Sequence, residues 1–216
     1  MPWLLDHPLA SWLVGASVLA LLGGEVAASY IGQSRDGARR PLEAVLEAVF
    51  LVRRRDGAVA QDRWTIWAVI AGSRIGLLGA VLLAALVPAA RAGADTWWTL
   101  GLGIAMVLAG AALRDWAIVT LGRYFRRQVT IELGQTVIRR GPYRWVRHPA
   151  YSGILLAVAG LGLAFGSWFG AALSASILLA GLLPRIRVEE RALEKAFGDD
   201  YTDYAASTAR LVPRVW

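Results

Sequence analysis

Apolar residues run along this chain in long blocks, and arginine-rich connections separate the blocks. Residues 8–31, 64–90 and 96–121 are mostly apolar, and each block can cross a hydrocarbon core of about 30 Å as a helix. Trp97 and Trp98 open the third block, as aromatic residues do at a membrane interface. The pattern predicts three membrane-spanning helices before residue 122.

A fourth apolar block, residues 150–183, is too long for a single span. Gly166, Ser167 and Gly170 bracket its middle, so we predict a hairpin of two short helices. Each leg would have roughly 16 residues and a length of about 24 Å, which suits a locally thinned bilayer. A single tilted helix is the alternative. The charged segment from Arg185 onward predicts a cytosolic helical cap.

Arginines are concentrated in the connections 33–63 and 122–149, with seven in each. Because basic loops stay in the cytoplasm, the distribution predicts five spans, with the N-terminus outside and the C-terminus in the cytoplasm. Within the first connection, residues 41–52 place their apolar side chains on one helical side. That spacing is typical of an amphipathic helix lying on the membrane surface.

Composition agrees with this reading. Of 216 residues, 56% are hydrophobic and 18% are charged, whereas soluble domains are usually about a quarter charged. We therefore predict an all-α, polytopic helix bundle in a membrane. Lys195 is the only lysine among 23 basic residues, a bias typical of a GC-rich bacterial genome, so the bacterial inner membrane is the expected location.

Composition and charge also exclude some classes of site and partner. The chain has no cysteine, which excludes disulfides and a cysteine-bound metal, and we expect no metal. Its arginines flank the apolar blocks, where the preference of basic loops for the cytoplasm already accounts for them. We therefore expect membrane lipids as partners and no nucleic acid.

Four ionisable residues interrupt the first three apolar blocks: Glu25, Arg74, Arg114 and Asp115. Charges in hydrocarbon are costly and usually face a partner or a polar cavity. Counted from the cytosolic ends, the four lie at similar depths, so Glu25 can pair with Arg74, and Asp115 with either arginine. Two interpretations stay open, which are ion pairs that join helices and a polar pocket in the cytosolic half of the bundle.

Two ordered motifs occur in the C-terminal half. Residues 113–156 read LRDWAIVTLGRYFRRQVTIELGQTVIRRGPYRWVRHPAYSGILL, and residues 187–204 read RVEERALEKAFGDDYTDY. Both blocks resemble the isoprenylcysteine carboxyl methyltransferase family. The resemblance implies a membrane methyltransferase that uses S-adenosyl-L-methionine, with residues 1–112 as N-terminal helices and 113–216 as the methyltransferase core of one integrated bundle.

The resemblance implies a set of cofactor-binding residues. Pro149 suits the first turn of a helix, and a helix N-terminus favours an anion such as the methionyl carboxylate. Glu190 is preferred over Glu189, because only one of two neighbouring glutamates is expected to point inward. The expected cofactor-binding residues are Tyr143, Arg147, His148, Tyr151, Gly153, Glu189 and Glu190.

The expected catalytic residues are Arg114, Arg187 and Glu190. The two arginines are candidates to bind the carboxylate of the acceptor in a bidentate way. The acceptor itself is a lipid-like or small molecule. Carboxylate O-methylation is favoured, and N-methylation of a lipid is also compatible with the resemblance.

Three neighbouring residues in the same motifs have interpretations that involve no ligand. Arg144 can be a solvated charge or a contact for anionic lipid, and Tyr201 and Tyr204 can pack the C-terminal segment on the bundle. Two other functions also stay open for the chain. One is a reductase-like protein that uses NADPH on a sterol or isoprenoid, and the other is a non-catalytic membrane protein.

Overall fold

The computed structural model describes residues 7–34, 62–86, 97–125 and 135–215, and these ranges are all-helical apart from turns and one isolated β-bridge. Two short 3-10 helices, Gly122–Tyr124 and Gly141–Arg144, precede the fourth α-helix. The α-helices are α1 (Pro8–Ser34), α2 (Asp62–Leu86), α3 (Trp97–Leu121), α4 (Pro149–Ala164), α5 (Trp168–Phe197) and α6 (Asp199–Ser207).

Three of the described helices are long and apolar enough to cross a membrane: Pro8–Ala28 within α1, α3, and α5. The apolar helix α4 is shorter, with 16 residues. Large apolar side chains lie exposed along the bundle, among them Trp12, Leu19 and Phe169. In water such side chains would be unfavourable, but lipid solvates them. The chain is an integral membrane protein.

The sequence predicted these helix positions closely. Helices α1, α2 and α3 begin within two residues of the predicted blocks, which started at residues 8, 64 and 96. The amphipathic helix predicted for residues 41–52 and the turn predicted for residues 91–95 lie outside the described residues.

The predicted hairpin turn occurs between α4 and α5. Gly166 has φ of +79°, a left-handed conformation that glycine adopts without strain. The hydroxyl of Ser167 then accepts a hydrogen bond of 2.8 Å from the Gly170 N–H and caps α5. The prediction of a short second leg was wrong, because α5 continues through Pro184 and has 30 residues.

The helices follow the spatial order α1–α3–α4–α5–α2, since α3 packs against α1 and α4, and α5 packs against α4 and α2. Glycines bring α3 and α4 into backbone contact. A Cβ on Gly160 would lie 2.6 Å from the Gly103 carbonyl oxygen, and a Cβ on Gly153 would lie 2.5 Å from that of Gly110. Small residues allow this close approach in membrane helices.

The ionisable residues in the N-terminal helices have different surroundings. The carboxylate of Asp115 lies against Gly24 of α1, and Arg114 Nη1 donates a hydrogen bond of 3.2 Å to the Ala150 carbonyl at the start of α4. Arg74 is exposed on α2, which packs against α5 rather than next to α1. The side chain of Glu25 lies outside the described residues.

The C-terminal segment returns to the start of α4. Val146 and Ala209 form a parallel β-bridge, in which the Ala209 N–H donates to the Trp145 carbonyl and the Arg147 N–H donates to the Ala209 carbonyl over 2.7 Å. The Tyr204 hydroxyl on α6 donates a hydrogen bond of 2.7 Å to the Tyr143 carbonyl. These contacts hold α6 and the segment that follows it beside the N-terminus of α4.

Candidate functional site

His148 is the residue before the first turn of α4, and its imidazole lies between two carboxylates of α5. Its Nδ1 is 3.5 Å from Glu189 Oε2, and its Nε2 is 3.4 Å from Glu190 Oε1. The ring also stacks on Tyr151, with centroids 5.6 Å apart. The expectation that only one glutamate points inward was wrong, because the ring presents a nitrogen to each of the two neighbouring side chains.

The surroundings of His148 favour its charged form. An imidazole can donate from both nitrogens only when it is protonated. Burial opposes the charge, but hydrogen bonds to Glu189 and Glu190 outweigh burial and raise the pKa of His148 above its ordinary value. The two carboxylates therefore favour a protonated imidazole at the start of α4.

Glu189 is bound by a second group of side chains. The Tyr151 hydroxyl donates a hydrogen bond of 2.9 Å to Glu189 Oε1 and accepts one of 2.7 Å from Arg185 Nε. Arg185 Nη2 is also 3.7 Å from Glu189 Oε1. Nη1 of the same arginine reaches the Thr65 hydroxyl of α2, at 3.5 Å. The side chain of Arg185, on α5, therefore connects the site to both α2 and α4.

Glu190 is bound by two arginines from outside the helices. Arg147 Nε donates a hydrogen bond of 3.0 Å to Glu190 Oε1, and its Nη1 donates to the carbonyls of Ala205 and Thr208. Arg210 donates from Nε to both carboxylate oxygens, over 3.2 and 3.0 Å, and its Nη2 is 3.0 Å from Oε2. The forked contact with Arg210 matches a guanidinium to a carboxylate.

These side chains form one polar group, which we call the carboxylate cluster. It holds three guanidinium groups, two carboxylates and the imidazole of His148. All of its charged side chains are at most 21% exposed except that of Arg210, which is 38% exposed. Unequal charge in a buried site favours an anionic ligand. Its members are Arg147, His148, Tyr151, Arg185, Glu189, Glu190 and Arg210.

Three further tyrosines lie near the cluster: Tyr143 precedes α4, and Tyr201 and Tyr204 are buried on α6. Tyr143 is buried, and burial raises its pKa well above the ordinary value. Burial also raises the pKa of Tyr204 to about 12, so both phenols stay neutral and able to donate. The hydroxyl of Tyr201 is buried and has no hydrogen-bond partner within the described part of the chain, which is an unusual and costly state for a buried donor.

The structure brings five of the predicted site residues into direct contact, and it places three others apart from the carboxylate cluster. Arg114 binds the Ala150 carbonyl. Gly153 was expected to let a cofactor approach the backbone, but helix α3 occupies the space beside it. A Cβ at this position would lie 2.9 Å from the backbone nitrogen of Arg114. Arg187 is exposed on α5. It lies two residues from Arg185 and two from Glu189, and two residues along a helix rotate a side chain by about 200°, so Arg187 points away from the cluster.

Sequence reasoning missed two members of the cluster. Arg185 was identified only as the start of the charged C-terminal segment, although its spacing of four residues from Glu189 places both on one helical face. Arg210 lies 20 residues beyond Glu190, after the end of α6. No periodicity could connect these two residues, because the connection depends on how the C-terminal segment folds back.

Known protein sequences match the part of the chain that contains most of the carboxylate cluster. The sequence profile of the isoprenylcysteine carboxyl methyltransferase family matches residues 103–195. Protein-S-isoprenylcysteine O-methyltransferase A of Arabidopsis thaliana is 34% identical over 121 residues. That alignment covers 55% of this chain and 61% of the plant protein. The uncharacterized protein YpbQ of Bacillus subtilis is 30% identical over 47% of this chain and 59% of its own length.

A solved structure has a similar fold. The eukaryotic intramembrane Ras methyltransferase, an isoprenylcysteine carboxyl methyltransferase, superposes with a TM-score of 0.68 and 19% sequence identity. The match covers 97% of this chain and 69% of that structure. The chain thus spans about three fifths of the length of the plant relatives that it matches, while nearly all of it takes part in the shared fold.

Proposed function

We propose that this chain is a member of the isoprenylcysteine carboxyl methyltransferase family, whose sequence profile matches residues 103–195, and that it is a membrane methyltransferase that uses S-adenosyl-L-methionine. The observation that carries the proposal is the carboxylate cluster, where α4, α5 and the C-terminal segment meet. The proposed acceptor is lipophilic or small, with O-methylation of a carboxylate favoured over N-methylation of a lipid.

The residues of the site fit the proposed cofactor. S-adenosyl-L-methionine carries a carboxylate, an ammonium group, ribose hydroxyls and a sulfonium. The carboxylate cluster has an excess of cations for the carboxylate and two glutamates for the ammonium and the ribose hydroxyls. The Tyr201 hydroxyl, which has no partner among the described residues, adds a donor at the same end of the bundle.

We assign binding roles on this basis. Arg147 and His148, beside the N-terminus of α4, would hold the cofactor's carboxylate, and Glu189 and Glu190 would hold its positively charged and hydroxyl groups. Tyr151 fixes the orientation of Glu189 by its hydrogen bond. When bound, the cofactor supplies an electrophilic methyl group on a sulfonium.

The proposed chemistry asks for alignment rather than for proton transfer. An ionised carboxylate acceptor needs no base, so the chain has to position the acceptor and exclude water. Arg114 lies at the α3–α4 contact and is the proposed anchor for the acceptor's carboxylate. Arg187 is withdrawn from that role because it lies on the exposed face of α5.

The proposed arrangement in the membrane has five spans, formed by α1 to α5. The N-terminus would lie outside and the C-terminus in the cytoplasm, as the basic connections predict. The carboxylate cluster then lies at the cytoplasmic end of α4, where a water-soluble cofactor and a membrane-embedded acceptor can meet. A bacterial inner membrane is the proposed location.

Binding of S-adenosylhomocysteine to the full chain in detergent, measured by calorimetry, tests the proposed function. We expect micromolar binding by the wild type and loss of binding in His148→Ala. Arg191→Ala is the matched control, since it removes an exposed charge from α5 near the same end. A folded, monodisperse wild type that does not bind would overturn the proposal, and binding of NADPH in its place would favour a reductase.

A further inference from the structure

The C-terminal segment makes backbone contacts with the residues that begin α4. The His148 N–H donates a hydrogen bond of 3.0 Å to the Arg210 carbonyl. The Ser152 hydroxyl, one turn into α4, donates one of 2.6 Å to the Leu211 carbonyl. Together with the bridge between Val146 and Ala209, these bonds attach residues 208–211 to the polypeptide that carries His148.

The side chain of Arg210 makes a second connection to the same site. Its Nε and Nη2 bind both oxygens of Glu190, and Oε2 receives contacts of 3.0 Å from both nitrogens. Arg147 and His148 contact Oε1 instead. The orientation of the Glu190 carboxylate therefore depends on Arg210 at both oxygens, with Arg210 alone at Oε2 among these three residues.

Arg210 is the most exposed cation of the carboxylate cluster, at 38% of its side chain. It therefore lies at the rim, where a ligand would enter, while its backbone carbonyl holds His148 inside. A single residue thus fixes the helix-start histidine through its main chain and the α5 glutamate through its side chain.

We infer that Arg210 is a positioning residue for ligand binding. Residues 208–211 are then an integral part of the site and not a peripheral tail. The inference rests on the proposed function for the identity of the ligand. Its physical basis is that Arg210 holds Glu190 in the orientation in which Glu190 and His148 face one another. Lysine cannot replace it fully, because an ammonium group lacks the planar fork.

The test is a double-mutant cycle on the full chain in detergent, with S-adenosylhomocysteine as the probe. Arg210→Gln is expected to raise the dissociation constant about tenfold, as loss of a partly exposed charge-assisted pair does. Arg210→Lys should recover part of that loss. Arg214→Gln is the control, since it removes an exposed charge four residues further along the same segment.

The cycle separates positioning from simple structural support. If Arg210 acts through Glu190, adding Arg210→Gln to Glu190→Gln should weaken binding little further. Wild-type affinity in Arg210→Gln, or effects that multiply in the double variant, would overturn the inference.

Hydrogen exchange gives a readout that needs no ligand. The backbone amides of Arg147 and His148 should exchange faster in Arg210→Gln than in Arg214→Gln, because their acceptors lie in the segment that Arg210 anchors. Unchanged exchange would count against the inference. If the wild type binds no S-adenosylhomocysteine, the proposed function fails, and the exchange result alone then decides on Arg210.

Discussion

The guanidinium of Arg185 donates a hydrogen bond of 2.7 Å to the hydroxyl of Tyr151, and this bond joins α5 to α4 at the carboxylate cluster. Arg185 is only 4% exposed, so its charge depends on the contacts with Tyr151 and Glu189. Arg187, two residues further along, is exposed. The two arginines therefore have opposite environments on the same helix and form a natural pair for mutagenesis.

Replacement of Arg185 by glutamine is expected to lower the free energy of unfolding by about 3 kcal/mol, because it leaves a buried carboxylate with fewer partners. Arg187→Gln should change that free energy by less than about 0.5 kcal/mol, since the side chain is on the surface. Unfolding of both variants in mixed detergent micelles measures the difference. Equal effects would show that the buried contacts of Arg185 contribute nothing specific.

The stability of the protein should depend on pH through His148. Because the folded state raises the pKa of His148 above 6.5, the protonated form stabilises the fold. This contribution is fully present below pH 6.5 and is lost as pH rises through the raised pKa. Thermal unfolding from about pH 6 upward should therefore show a decline in melting temperature.

Substitution of each histidine isolates this effect. His148→Gln should flatten the decline, while His7→Gln should keep it, and these are the two histidines of the chain. A decline that persists in His148→Gln would assign the pH dependence to other groups.

Gly153→Ala is expected to destabilise the bundle by about 2 kcal/mol, because the added Cβ would overlap the backbone of α3. Gly101→Ala, on α3, adds its Cβ where nothing lies within 4 Å, and should raise stability by about 0.5 kcal/mol. Ligand affinity per folded molecule should stay the same in Gly153→Ala. A loss of ligand affinity without a loss of stability would instead indicate that Gly153 contacts the cofactor.

The proposed orientation can be tested without background labelling, because the chain has no cysteine. Thr202→Cys, on the exposed face of α6, should react with a membrane-impermeant maleimide only after the cells are opened. Ala94→Cys, in the predicted external turn, should react in intact cells. The reverse pattern would invert the topology, and labelling of both in intact cells would contradict five spans.

Much of the fold follows from the sequence because lipid imposes simple rules. Apolar length indicated α1, α2 and α3, and the proline at residue 149 marked the start of α4. The extension of α5 through Pro184 was missed, since a change in hydropathy marks where a chain leaves the apolar medium, not where its helix ends. Membrane helices tolerate proline when neighbouring groups satisfy the freed carbonyl.

The site was less accessible to sequence reasoning, for a different reason. Local patterns could place His148 at a helix start and put two glutamates on one helix. They could not show that both glutamates reach the same imidazole. Arg210 depends on a chain reversal after α6, and such a contact between distant residues has no local signature.

The order α1–α3–α4–α5–α2 has a consequence for biogenesis. Helix α1 leaves the ribosome before its neighbour α3, and α2 must wait for α5, which begins at Trp168, long after α2 ends at Leu86. In the folded chain, Gly72 and Gly76 of α2 lie against the backbone of α5, so this contact can form only after α5 has been synthesised. We therefore expect α1 and α2 to insert without contacting one another, and α5 to complete the bundle by packing against α2.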